Sequence, residues 1–123
     1  MRLWHIDLLP LLPRQQLLGQ HRECCALRGN GWGKNHATVN YVFTYHPQML
    51  FEYHSAVMDE MERRNYNVDL LWKQKKYRGK SCNEDYAQQY YKLPYRKRYT
   101  EHNEVYLKLC LENLRQKGIE INV

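Results

Sequence analysis

Gln20-His21-Arg22-Glu23 sets an amide, an imidazole, a guanidinium and a carboxylate within little more than one turn of a predicted helix. A carboxylate held beside cations can take up and return a proton, and it can stabilise positive charge that develops on a substrate. An exposed Arg-Glu pair by itself is ordinary surface. This one has Gln16 close by on the same helix and Met1-Arg2-Leu3-Trp4 a short span upstream. His21, Cys24 and Cys25 also offer metal-ligating atoms on one turn, but no fourth ligand is visible, so no metal site is expected. His21 and His54 fall near apolar faces, where core or hydrogen-bonding roles are expected.

A second feature is a basic segment. The chain has 123 residues and a net charge of +6. Residues 72–99 hold Lys73, Lys75, Lys76, Arg78, Lys80, Lys92, Arg96, Lys97 and Arg98 against Glu84 and Asp85, a local charge of +7 that leaves −1 for the rest. The same stretch has six of the eleven tyrosines: Tyr77, Tyr86, Tyr90, Tyr91, Tyr95 and Tyr99. Cations neutralise phosphates and release counterions, and aromatic rings stack on bases or pack on the sugar-phosphate backbone. The combination points to nucleic acid rather than to a solvated basic loop whose tyrosines cover the core.

Length and composition fit one globular domain, residues 1–123, with a core of modest thickness. No apolar run has membrane-spanning length, and Pro10 and Pro13 interrupt the apolar patch Leu8-Leu12 without a cleavage site after it. Cys24, Cys25, Cys82 and Cys110 lack the spacing of zinc or redox motifs and read as reduced thiols in a cytoplasmic protein. Trp4, Trp32 and Trp72 read as core or interface residues, with glycine-flanked Trp32 the best stacking candidate.

Three main helices with long ordered loops must position these groups, an all-α expectation. The first starts near Pro13, buries Leu17, Leu18, His21, Cys24, Cys25 and Leu27 or Arg28, and stops at Gly29. Residues 39–45 are ambiguous between a short helix and a short strand. The second runs from about Pro47 to Arg64 on a stripe of Leu50, Tyr53 or His54, Val57, Met58 and Met61, and Asn65 ends it. The third takes Thr100 as its N-cap, buries Val105, Leu107 or Lys108, Leu109, Leu111 and Leu114, and closes at Gly118.

The segment Leu12 to Glu23, with His46 to Tyr53, Met58 to Val68 and Tyr77-Arg78-Gly79, resembles in order the pyrimidine-dimer DNA glycosylases of the phage endonuclease V type. The resemblance covers about residues 1–80 and rests on the order of several short matches. It implies a small helical protein without metal or cofactor. The α-amine at the chain start attacks C1′ of the damaged nucleotide, and the resulting Schiff base loses the 3′ phosphate by β-elimination. An α-amine suits the role because its pKa lies near ~8, well below that of lysine. Carried onto this chain, Glu23 is the catalytic carboxylate and Met1 supplies the amine, since Arg2 is too large for ordinary removal of the initiator. Arg2, Arg22 and Gln16 join the DNA surface with Lys73, Lys75, Lys76, Arg78, Lys80, Arg96, Lys97 and Arg98. The chain departs from the family pattern at Gln16, where a histidine is usual, and at Ala26, where an arginine would be sought.

The resemblance therefore implies a glycosylase with abasic-site lyase activity on double-stranded, damaged DNA, with no membrane and no obligate protein partner. The alternative is a non-catalytic nucleic-acid binder on the same scaffold. A module for acidic protein partners fits less well, because it needs no tyrosine enrichment.

Overall fold

Pro13 precedes helix α1 (Arg14–Arg28), where a fixed φ and an absent N–H suit the start of a helix. In the computed structural model, which describes residues 2–34, 37–80, 82 and 93–123, helix α2 spans Pro47–Arg63 and helix α3 spans Glu104–Gln116. Three 3-10 helices, Ile6–Leu11, Ala37–Thr44 and Leu70–Lys73, occupy the connections. Among the described residues there is no strand, so the fold is all-α. The ambiguous 39–45 stretch is mostly 3-10 helix, and it buries Val39, Val42 and Tyr45.

α1 and α2 pack on one another, and the N-terminal leucines complete the core. Leu3, Leu8, Leu9 and Leu12 are buried together with Leu17, Leu27, Leu50, Val57, Met61 and Leu114. Every residue of the expected α2 stripe is buried, with both Tyr53 and His54 inside. Asn65 ends α2 with φ at 64° and Gly118 closes α3 with φ at 81°, both left-handed as expected. Gly29, the C-cap of α1, is not left-handed (φ −94°), and glycine is needed there for another reason: a Cβ would stand 2.9 Å from the carbonyl oxygen of Arg78.

α3 departs from the sequence expectation in two ways. Its N-cap is Asn103, whose Oδ1 accepts from the Tyr106 amide at 2.9 Å. Thr100 lies ahead of the helix, with its hydroxyl 2.6 Å from that of Tyr45. Val105 and Leu109 are 78% and 50% exposed, while Cys110 and Leu114 are buried and Tyr106 packs against the core. Tyr106, Cys110 and Leu114 recur every four residues. That row, rather than the more apolar one beside it, faces inward because Tyr106 is bonded to the N-terminal segment.

Candidate active site

Residues 2–5 form neither helix nor strand, and the segment ends extended at His5 (φ −51°, ψ 135°), so their backbone groups need side-chain partners. All three α-helices supply them. From α1, Gln20 Nε2 donates to Arg2 O at 2.9 Å, and Gln20 Oε1 accepts from the Trp4 amide at 2.6 Å. From α2, the Tyr53 hydroxyl donates to Trp4 O at 2.6 Å and lies 3.0 Å from Gln20 Oε1. From α3, the Tyr106 hydroxyl donates to Leu3 O. Further on, the Ile6 amide donates to His102 Nδ1 at 3.2 Å.

At the outer end of this segment, the Arg2 amide donates to Glu23 Oε2 at 3.2 Å. Gln20 Nε2 reaches the same oxygen, also at 3.2 Å. Glu23 is half-buried, and burial raises its pKa above the ordinary value; the Arg2 amide and the Gln20 carboxamide partly oppose the shift. A carboxyl raised in this way has a proton to give nearer neutral pH. Arg22 projects outward beside it, and Gln16 is half-buried. The Arg2 side chain turns toward α3, beside the Tyr106 hydroxyl and the Cys110 thiol, and its guanidinium is 6.0 Å from the Trp4 ring. Met1 lies outside the described residues.

Sequence reasoning missed Gln20 as the hub, and with it Tyr53 and Tyr106. The signal was present: Leu17, Gln20, Cys24 and Leu27 form the buried stripe of α1, and a polar residue in such a stripe needs partners.

On the other side of α1, His21, Cys25 and His54 bring ligand atoms within 4.8 Å of one another. Hydrogen bonding decides what this cluster is. Arg28 Nη1 donates to His54 Nδ1 at 2.9 Å, and a guanidinium can only donate. His54 therefore carries its proton on Nε2 and donates it to His21 Nδ1, 2.8 Å away. His21 Nε2 then faces Cys25 Sγ at 3.7 Å. A cation on His54 Nε2 would have to displace that proton while Arg28 still occupied the other nitrogen, so the donor set does not fit a metal. Burial, with the Arg28 charge second, holds His54 down to about 2, and burial pushes Cys25 up to about 12, which makes it a poor nucleophile. The expected hydrogen-bonding role of His21 and His54 is the one observed.

The cations of the basic segment divide into two groups. Lys73 pairs with Glu62 and Asp59, Lys75 Nζ donates to Gln48 at 2.7 Å, and Arg98 pairs with Asp7 at 3.0 Å. Arg78 Nε donates to Arg28 O at 2.8 Å and so covers the C-terminal carbonyls of α1. Lys76, Lys80, Arg96 and Lys97 are exposed and make no ion pair with other described residues. Of the tyrosines, Tyr99 is buried, Tyr77 packs edge-on against Trp72 at 4.8 Å, and Tyr95 is exposed with its hydroxyl on Glu52. Lys92, Tyr86, Tyr90 and Tyr91 lie outside the described residues. Trp4 and Trp32 are core residues; Trp32 lies edge-on to Phe43 at 4.9 Å and is buried, so it offers no open stacking face. All four cysteines are unpaired, and no helix among the described residues is long and apolar enough to cross a membrane.

The profile of the family described as pyrimidine dimer DNA glycosylase matches residues 1–74, which include Glu23, Gln20, Tyr53 and the N-terminal segment they hold. No curated protein and no solved structure matches the chain. The match covers more than half of the sequence and coincides with the site built above: this chain belongs to the pyrimidine dimer DNA glycosylase family of DNA repair enzymes.

Proposed function

We propose that this protein is a glycosylase with abasic-site lyase activity on double-stranded DNA carrying pyrimidine dimers, and that the α-amine of Met1 is its nucleophile. The observation that carries the proposal is the 3.2 Å separation between Glu23 Oε2 and the amide nitrogen of Arg2. That nitrogen is the peptide link to residue 1. Covalent geometry keeps an α-amine on residue 1 within about 4 Å of it. This proximity supports a reading in which the raised carboxyl and the amine work in one site.

The reaction follows from those two groups. The neutral amine attacks C1′ while the glycosidic bond breaks and its electron pair leaves with the base. The C1′–O4′ bond then opens to give the imine, with a proton delivered to O4′. Loss of a C2′ proton expels the 3′ phosphate, and water releases the product from the amine. Glu23 gives and takes the protons at the sugar, and as the carboxylate it stabilises the positive charge on the way to the imine. Arg22 flanks the sugar's phosphates, and Gln16 with the exposed cations of the basic segment extends the DNA surface.

The test is borohydride trapping on a duplex with one abasic site, followed by mass spectrometry of the adduct. The expected result is a covalent adduct on the Met1 amine. An adduct on a lysine would move the nucleophile. No adduct, with DNA binding intact, would replace the enzyme by a binding module.

A further inference from the structure

One side chain touches both halves of the site. Gln20 is 1% exposed. Its carboxamide nitrogen carries two hydrogens, one directed at Arg2 O (2.9 Å) and one at Glu23 Oε2 (3.2 Å). Its oxygen takes the Trp4 amide at 2.6 Å, with the Tyr53 hydroxyl at 3.0 Å. The orientation is fixed by the backbone: turned over, the amide would set nitrogen against the Trp4 N–H and oxygen against Arg2 O. The carboxamide thus replaces the neighbouring strand that the N-terminal segment lacks, and its second hydrogen secures the catalytic carboxylate. We propose that Gln20 is the positioning residue of this site, registering the chain start and Glu23 on each other through one buried carboxamide.

The inference rests on the lyase reading for its catalytic consequence but not for its geometry. A residue that only filled space could be replaced by any side chain of the same length. Only a carboxamide presents donors and an acceptor in one plane at this reach. A carboxylate here would face Arg2 O and Glu23 with acceptors alone.

The experiment follows the Glu23 carboxyl by carbon NMR from acid to neutral pH in the full chain, as wild type, Gln20→Glu and Gln20→Met. Trapping rates on an abasic duplex are measured alongside. In Gln20→Glu the two carboxyls share a proton, and the proton affinity of Glu23 should rise about tenfold or more. The trapping rate at neutral pH should fall by a comparable factor, and its pH profile should follow the new midpoint. Gln20→Met keeps the length and loses the donors, so the midpoint should move the same way by less. An unchanged midpoint in a folded variant overturns the proposal. In the wild-type chain, the Gln20 carboxamide protons should give cross-peaks to the Arg2–Trp4 segment, and their absence overturns it even if neither variant folds. If wild type forms no adduct, the lyase reading fails while the midpoints and cross-peaks still decide the role of Gln20.

Discussion

Arg28 Nη1 stands 2.9 Å from His54 Nδ1, and both side chains are almost wholly buried. The other Nη hydrogens of the guanidinium go to Trp72 O at 2.8 Å, Gln74 O at 2.9 Å and Tyr77 O at 3.0 Å, and its central carbon lies 5.1 Å from the ring centres of both Phe51 and Trp72. One cation therefore ties the 72–77 segment to the end of α1 and holds a histidine neutral beside it.

Arg28→Ala should destabilise the protein by about 3 kcal/mol or more, since three carbonyls and an imidazole lose their donor at once. Arg28→Lys should recover little, because one ammonium cannot span the same acceptors. Urea unfolding measures both, and a wild-type midpoint for Arg28→Lys would show that the planar fork is not what holds the segment.

Acid should destabilise the fold well before its carboxylates are titrated. Burial lowers His54 to about 2 and His102 to about 3 from an ordinary 6.5. Between those values and 6.5 the unfolded chain binds protons that the folded chain refuses. Stability is therefore full above 6.5 and lost as pH falls below it, by about 1.4 kcal/mol per pH unit for each histidine. Replacing His102 with Gln should remove that share of the slope, and an unaltered slope would mean that His102 accepts a proton inside the fold.

Helix positions were legible in the sequence because Pro13, Pro47, Asn65 and Gly118 act locally, and their local preferences agree with the final packing. Glu23 was singled out by resemblance, and its Oε2 accepts from the Arg2 amide at 3.2 Å. Gln20 was not, since its importance comes from a buried N-terminal segment that has no periodicity of its own. The inward face of α3 was misread for the same reason: Tyr106 is drawn in by Leu3 O, about a hundred residues away in sequence, against the pull of the more apolar Val105 and Leu109.

The start of α3 gives a local check. Asn103→Ala removes the acceptor for the Tyr106 amide and should cost about 1 kcal/mol. Because Tyr106 holds Leu3 O, the loss should also appear as faster amide exchange in α3's first turn. Thr100→Ala should leave that exchange unchanged, and the opposite ranking would return the cap to Thr100.

The division among the cations predicts which of them DNA feels. Lys76, Lys80, Arg96 and Lys97 are unpaired with described residues, whereas Lys73 already sits on Glu62 and Asp59. Replacing Arg96 or Lys97 with Gln should weaken duplex binding and reduce the salt slope by about 0.9 for each phosphate that is no longer neutralised. Lys73→Gln should change the slope far less. Equal slopes for all three would mean that the surface ion pairs of Lys73 open at no cost when DNA arrives.

Glu23→Gln separates chemistry from folding. The folded protein binds a proton on Glu23 more tightly than the unfolded chain does, because burial raises the carboxyl above its ordinary 4.5. The stability linked to that proton is present below 4.5 and lost as pH rises through the raised midpoint, so at neutral pH the buried carboxylate is a burden. Glutamine is uncharged throughout, and its oxygen can still accept from the Arg2 amide. The variant should therefore be at least as stable as wild type at neutral pH, with a flatter dependence of Tm on pH. Proton transfer by a positioned group is worth about a hundredfold or more in rate. Cleavage of ultraviolet-irradiated duplex, and trapping on an abasic duplex, should fall by at least that factor while DNA binding persists. Wild-type rates in a folded Glu23→Gln protein would remove Glu23 from the chemistry and leave its hydrogen bond with the Arg2 amide as a structural one.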